Sequence, residues 1–163
     1  MNRRQAGWLL AWSALALSGC ATALRPPAPG GTNGPWSGRL ALQVQGNASQ
    51  SFAAMFELRG SAEAGELELT SPLGGTLAVL AWAPGTATLR SNGQTRSFAS
   101  VDALATQATG AAIPVAALFD WLRGRDTPVP GWQANLSQLA DGRISAVRHE
   151  PAPQADLRIA LDR

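Results

Sequence analysis

The amino-acid sequence predicts a mainly β fold: an antiparallel barrel of roughly nine strands, closed or nearly closed, carrying a small α-helical lid. Three observations carry this. Apolar and polar residues alternate with period two over most of residues 36 to 163, which gives each strand one face for a core and one for water. Pairs built from Gly, Pro, Asn and Ser punctuate the runs at hairpin spacing. The period turns helical in one stretch only, between residues 101 and 123.

Residues 1–19 read as an export signal that is removed. Arg3 and Arg4 precede an apolar run from Ala6 to Leu17 and then small residues, which is the order of a secretory leader. The run is about a dozen residues long, short of the ~20 that cross a bilayer as a helix. The only cysteine of the chain follows, in Leu17-Ser18-Gly19-Cys20. This resembles the bacterial lipobox, which implies cleavage before Cys20 and acylation of the new N-terminus. Three acyl chains exceed the two signals needed for stable anchoring, each buried methylene contributing ~0.8 kcal/mol. Ala21 stands where aspartate favours inner-membrane retention, so the resemblance implies the outer membrane. Residues 20–35 form the lipidated N-terminus and a flexible linker, since positions 21 to 35 hold four prolines and three glycines and no periodic apolar pattern.

The folded domain spans 36–163. Leu40, Leu42 and Val44 alternate with Arg39, Ala41 and Gln43 to give a first strand. Phe52, Ala54, Phe56 and Leu58 against Glu57 and Arg59 give a second, and Leu67 and Leu69 against Glu66 and Glu68 a third. The turn pairs Gly46-Asn47, Gly60-Ser61, Pro84-Gly85 and Asn92-Gly93 join these into a meander. Residues 76 to 83, TLAVLAWA, are apolar on both faces and fit a central strand. Helices are expected over Val101–Gln107 and Val115–Arg123, with Ser100 and Pro114 as starts, Gly110 and Gly124 as stops, and Arg123 suited to the helix dipole. Two helices placed this late have to cover the barrel's mouth or concave face. Alternation then returns in Trp132, Ala134 and Leu136, in Ile144, Ala146 and Arg148, and in Leu157, Ile159 and Leu161.

Composition excludes several chemistries. All 13 basic residues are arginine, so Schiff-base and P-loop lysines are out. Without Arg3 and Arg4 the basic residues only equal the 11 acidic ones, so no nucleic-acid footprint remains. One cysteine and one histidine do not make a zinc site, and no metal or cofactor is expected. His149 lacks a GxSxG nucleophile and reads as a solvent-exposed strand end. The carboxylate pairs Glu66/Glu68 and Asp120/Asp126 read as solvated faces, so no enzyme is expected. Trp36 and Trp121 read as packing anchors, with ligand gating the alternative for Trp121. One segment fits no packing rule, Ser71-Pro72-Leu73-Gly74-Gly75, because a turn favours polar residues and this one holds a leucine. Leu73 either folds back onto the sheet or is displayed as a tip that touches a membrane or a partner.

Taken together, the lipobox at Cys20, Gly38-Arg39-Leu40-Ala41 in the first strand, SPLG at 71 to 74, and Gly110-Ala111-Ala112-Ile113-Pro114 leading to Trp121-Leu122-Arg123-Gly124 resemble the LolB family of outer-membrane lipoprotein receptors. The resemblance runs from the lipobox to about Gly124 and beyond Trp132 rests on strand count. It implies a half-open antiparallel β-barrel of the LolA/LolB kind, with a short helical lid over an apolar cavity. The short connections after Gly124 suggest a lid smaller than the family's usual one. The implied role is that of a monomeric outer-membrane lipoprotein, facing the periplasm, that accepts acylated lipoproteins from the carrier LolA. It inserts them into the inner leaflet of the outer membrane without nucleotide hydrolysis, in contact with outer-membrane lipid. The resemblance assigns the insertion tip to Leu73, flanked by Pro72 and Gly74. The acyl-cavity candidates are the apolar-face residues Leu40, Leu42, Val44, Phe52, Phe56, Leu58, Leu67 and Leu69, with Leu118 and Trp121 from the lid. The competing reading is a structural or assembly lipoprotein that binds a protein partner on a lidded barrel.

Overall fold

The computed structural model describes residues 35–46, 51–109 and 113–162. The leader, Cys20, nearly all of the linker and the Gly110–Ala112 segment lie outside the described residues. Six strands come first: β1 (Trp36–Val44), β2 (Phe52–Gly60), β3 (Gly65–Thr70), β4 (Thr76–Ala83), β5 (Thr86–Ser91) and β6 (Gln94–Phe98). Two helices follow, α1 (Val101–Thr109) and α2 (Val115–Leu122), and then β7 (Trp132–Asn135), β8 (Arg143–Arg148) and β9 (Ala155–Leu161).

All nine strands form one sheet in the order β6-β5-β4-β3-β2-β1-β9-β8-β7. Every pairing is antiparallel, including the long-range one that sets β9 beside β1, from Gly38↔Leu161 to Val44↔Ala155. The sheet does not close, because β6 and β7 remain as its two edges. Those edges are consecutive strands in the chain. The segment between them, which contains both helices, therefore has to pass from one edge of the open barrel to the other, and this places the lid.

Alternation works as expected on β1, where Leu40, Leu42 and Val44 are buried and Arg39 and Gln43 exposed. On β4 both Val79 and Leu80 are buried, in keeping with its run of apolar residues. Helix α1 starts at Ser100, whose Oγ accepts the Ala103 N–H at 3.1 Å. Helix α2 follows Pro114, and its apolar residues at positions 115, 118, 119 and 122 make one stripe. It stops at Gly124, in the left-handed region at φ 77°, whose N–H bonds the Trp121 carbonyl at 2.9 Å.

Gly38, the third residue of β1, is a glycine because β9 passes close to it. A Cβ there would lie 2.1 Å from the Ala160 carbonyl oxygen of β9. Gly38→Ala is expected to force β1 and β9 apart and cost about 3 kcal/mol, with the expected drop read from the midpoint of urea unfolding. An unchanged midpoint would show that the strands have room to shift.

Candidate functional site

The concave face of the sheet and the lid share one buried cluster. Leu40, Leu42, Val44, Phe56 and Leu58 belong to it, as do Leu118 and Trp121, while Phe52, Leu67 and Leu69 are half-buried and pack against it. All ten residues expected to line a cavity are therefore brought together. The space between them is occupied by α2. Phe119 is fully buried, edge-on to Trp36 at 5.6 Å and to Trp82 at 6.2 Å between ring centroids. Trp121, equally buried, lies 6.4 Å from the Trp132 ring and donates its indole N–H to the Thr127 carbonyl at 3.1 Å. The barrel interior is thus apolar and packed, with the buried side chains of α2 filling it from the helical side.

Phe119 and Trp82 escaped the sequence analysis, although the 115, 118, 119, 122 spacing put Phe119 at the centre of the helix stripe. Arg123 does more than face the helix dipole. Its guanidinium lies 5.3 Å above the Trp36 ring and 5.6 Å from Phe119, a cation–π contact where α2 ends against the start of β1.

A cavity of about 770 Å³ lies elsewhere on the sheet. It takes three consecutive residues from each of four strands: Arg39–Ala41 of β1, Ala53–Met55 of β2, Arg143–Ser145 of β8 and Arg158–Ala160 of β9. Leu40, Ala54, Ile144 and Ile159 are the buried members and face the core. By strand alternation the other eight point to the opposite, solvent side, so this groove runs across the outer face. Of the expected site residues, only Leu40 and Pro72 line it.

The Ser71–Gly75 loop resolves the two readings of Leu73. Leu73 is 98% exposed and does not fold back onto the sheet. The loop is nevertheless held. The Thr70↔Thr76 pair frames it, the Ser71 N–H bonds the Gly75 carbonyl at 2.8 Å, and the Gly74 N–H bonds the Ser71 carbonyl at 2.9 Å. Ser71 Oγ accepts the Gly75 N–H at 3.1 Å. Gly74 turns the chain at φ 87°, where a side chain would be strained. A hydrogen-bonded hairpin therefore presents one leucine to the surroundings, with the half-exposed Leu77 beside it.

His149 and Glu150 are exposed, and among the described residues no cluster of His, Cys, Asp or Glu is arranged to hold a metal. Arg148 is buried on the inner side of β8, donates from Nη2 to the Pro153 carbonyl at 2.7 Å, and has no partner for Nε among the described residues. Burial pushes its guanidinium below the ordinary arginine range. Asp120, on the outer side of α2, accepts hydrogen bonds from Arg125 and from the Thr127 hydroxyl at 2.7 Å. Arg125 first and Thr127 second hold its carboxyl below the usual range. A carboxylate with a depressed folded pKa adds stability above its unfolded pKa of roughly 4 and loses it as pH falls through the folded value. Asp120→Asn is therefore expected to flatten the fall of Tm on acidification below about pH 4, and an unaltered Tm profile would show that the lid's C-terminal turn does not depend on this pair.

Among the described residues no helix is long and apolar enough to cross a membrane. Comparison with known proteins bears on the whole chain. Residues 35–156 match the model of the family described as outer membrane lipoprotein LolB. An outer-membrane lipoprotein LolB from Bordetella petrii is 35% identical over 97% of this chain and 92% of its own length. One from Chromobacterium violaceum is 34% identical over 83% of this chain and 75% of its own. A family match over most of the described domain and a relative 35% identical along nearly the whole chain agree with the open antiparallel barrel, and the chain belongs to the LolB family of outer-membrane lipoproteins.

Proposed function

We propose that this chain accepts acylated lipoproteins from a LolA-type carrier into its barrel and passes them to outer-membrane lipid. The observation that carries the reading is an apolar barrel interior into which α2 packs its buried side chains, in a domain that displays a leucine on a hydrogen-bonded loop. Acyl chains released into water would cost ~0.8 kcal/mol per methylene, so a handover has to run from one apolar enclosure to another. The stripe of α2 already solvates the chamber wall, and an acyl chain replaces Phe119, Leu118 and Trp121 with contacts of the same kind. The exchange trades one set of apolar contacts for another and needs no nucleotide, and its direction is set by which protein holds the acyl chains more tightly. Cleavage before Cys20 and acylation of the new N-terminus tether the domain to the membrane through the Pro- and Gly-containing segment that precedes residue 36. Leu73 enters the bilayer in the release step, with Pro72 and Gly74 setting its angle.

The filled chamber favours a second reading, a packed lipoprotein whose barrel binds a protein partner and no lipid. A fluorescent fatty acid separates the two. Saturable emission enhancement, displaced by acylated lipoprotein, is expected from the chamber; no enhancement with the chain fully folded would favour the partner-binding reading.

A further inference from the structure

We propose that the groove on the outer face of β8, β9, β1 and β2 binds the phosphate of an anionic phospholipid, seating the domain on the acceptor membrane beside the Leu73 tip. This rests on the reading that the domain works at a lipid surface.

Strand register brings the charges together. Arg143, Ala160 and Arg39 are direct neighbours across β8, β9 and β1, and one row along Arg158 sits between Ser145 and Ala41. Arg39 and Arg143 thus flank the small side chain of Ala160 from either side, with Arg158 two residues along β9 and all four lining the groove. Arg158 shares its charge with Asp156, at 3.1 Å. Neither Arg39 nor Arg143 forms an ion pair or side-chain hydrogen bond with any described residue, and both are exposed. Two neighbouring guanidinium groups without an acidic partner, Arg39 and Arg143, suit phosphate oxygens, which accept two planar N–H donors at once.

Ser145, Asn135 and Gln138 make the β7–β8 side of the groove polar, while its β1–β2 side beyond Arg39 is apolar, a division that suits an amphipathic anion better than a purely ionic one. Ala41, Ala53 and Met55 continue the groove from the arginines toward the β3–β4 loop, and Pro72 of that loop forms its wall. A phosphate at Arg39 and Arg143 would point its glycerol and acyl portion along this apolar floor to the residue next to Leu73. The groove and the tip would then meet the same patch of lipid, one through charge and the other through an apolar side chain.

The test is protection of arginine from phenylglyoxal, read residue by residue by mass spectrometry. The full lipid-anchored chain is placed in vesicles of phosphatidylcholine alone, or of phosphatidylcholine with one third phosphatidylglycerol. Modification of Arg39 and Arg143 is expected to slow by about threefold or more with phosphatidylglycerol, while the exposed Arg90 and Arg96 of β5 and β6 react alike in both. Equal rates in the two vesicles, or equal slowing at all four arginines, would overturn the proposal. So would full protection by inorganic phosphate with phosphatidylcholine vesicles, which marks a small-anion site, or protection that requires the carrier protein. Cargo handover measured in the same vesicles reports on the function separately: handover without protection removes the groove alone, and protection without handover removes the transfer role alone.

Discussion

Leu73→Glu is expected to leave uptake of acylated cargo unchanged and to slow its insertion into vesicles by tenfold or more. Leu73 is almost wholly exposed, so the fold gains nothing from its side chain, and the substitution should move stability by no more than about 0.5 kcal/mol. The effect falls on the release step. Burying a leucine side chain in hydrocarbon contributes about 1.5–3 kcal/mol, or roughly ten- to a hundredfold in a rate that depends on it. A glutamate at the same tip replaces that gain with the cost of bringing a charge to lipid. Because the Ser71 and Gly74 hydrogen bonds are made by the loop backbone and the Ser71 hydroxyl, the loop keeps its shape in the variant. Normal insertion by Leu73→Glu would show that the displayed leucine has another use.

Phe119→Ala is expected to lower stability by about 3–5 kcal/mol and, against that trend, to tighten the binding of an acyl probe. Phe119 is a fully buried residue of α2, and its ring is the surface against which Trp36, Trp82 and the Arg123 guanidinium pack. Truncation opens a void that nothing nearby fills. An acyl chain entering that void no longer has to displace an aromatic ring, so the variant gives up fold stability and gains affinity for apolar guests. Stability from denaturant unfolding and affinity from probe titration should move in opposite directions. If both fell together, Phe119 would be an ordinary core residue.

Particular residues show where sequence was informative. The alternation of Leu40, Leu42 and Val44 fixed which face of β1 is buried, because a strand with one dry face tolerates no slip in register. The same alternation set Arg148 on the inner side with Ile144 and Ala146, where it is found. Leu73 stood out because turn chemistry gave it no partner, and its exposure has that cause. The contact of β1 with β9 had no local signal, since it joins the two ends of the domain. Whether the chamber is empty or filled depends on how deeply α2 enters the barrel, a distance that periodicity does not encode, and so Phe119 was passed over. The groove of Arg39, Arg143 and Arg158 was equally hidden. These residues are far apart in the chain and meet only through the register of three strands.

The most direct measurement is a handover: purified carrier loaded with acylated lipoprotein, mixed with this chain in the absence of nucleotide, then recovery of the chain and assay for cargo. Cargo should move to the chain, and a saturating fatty acid should block the transfer by occupying the barrel. Cargo that stays on the carrier while the chain is folded would contradict an acyl-accepting chamber and leave a lipid-anchored barrel that serves a protein partner.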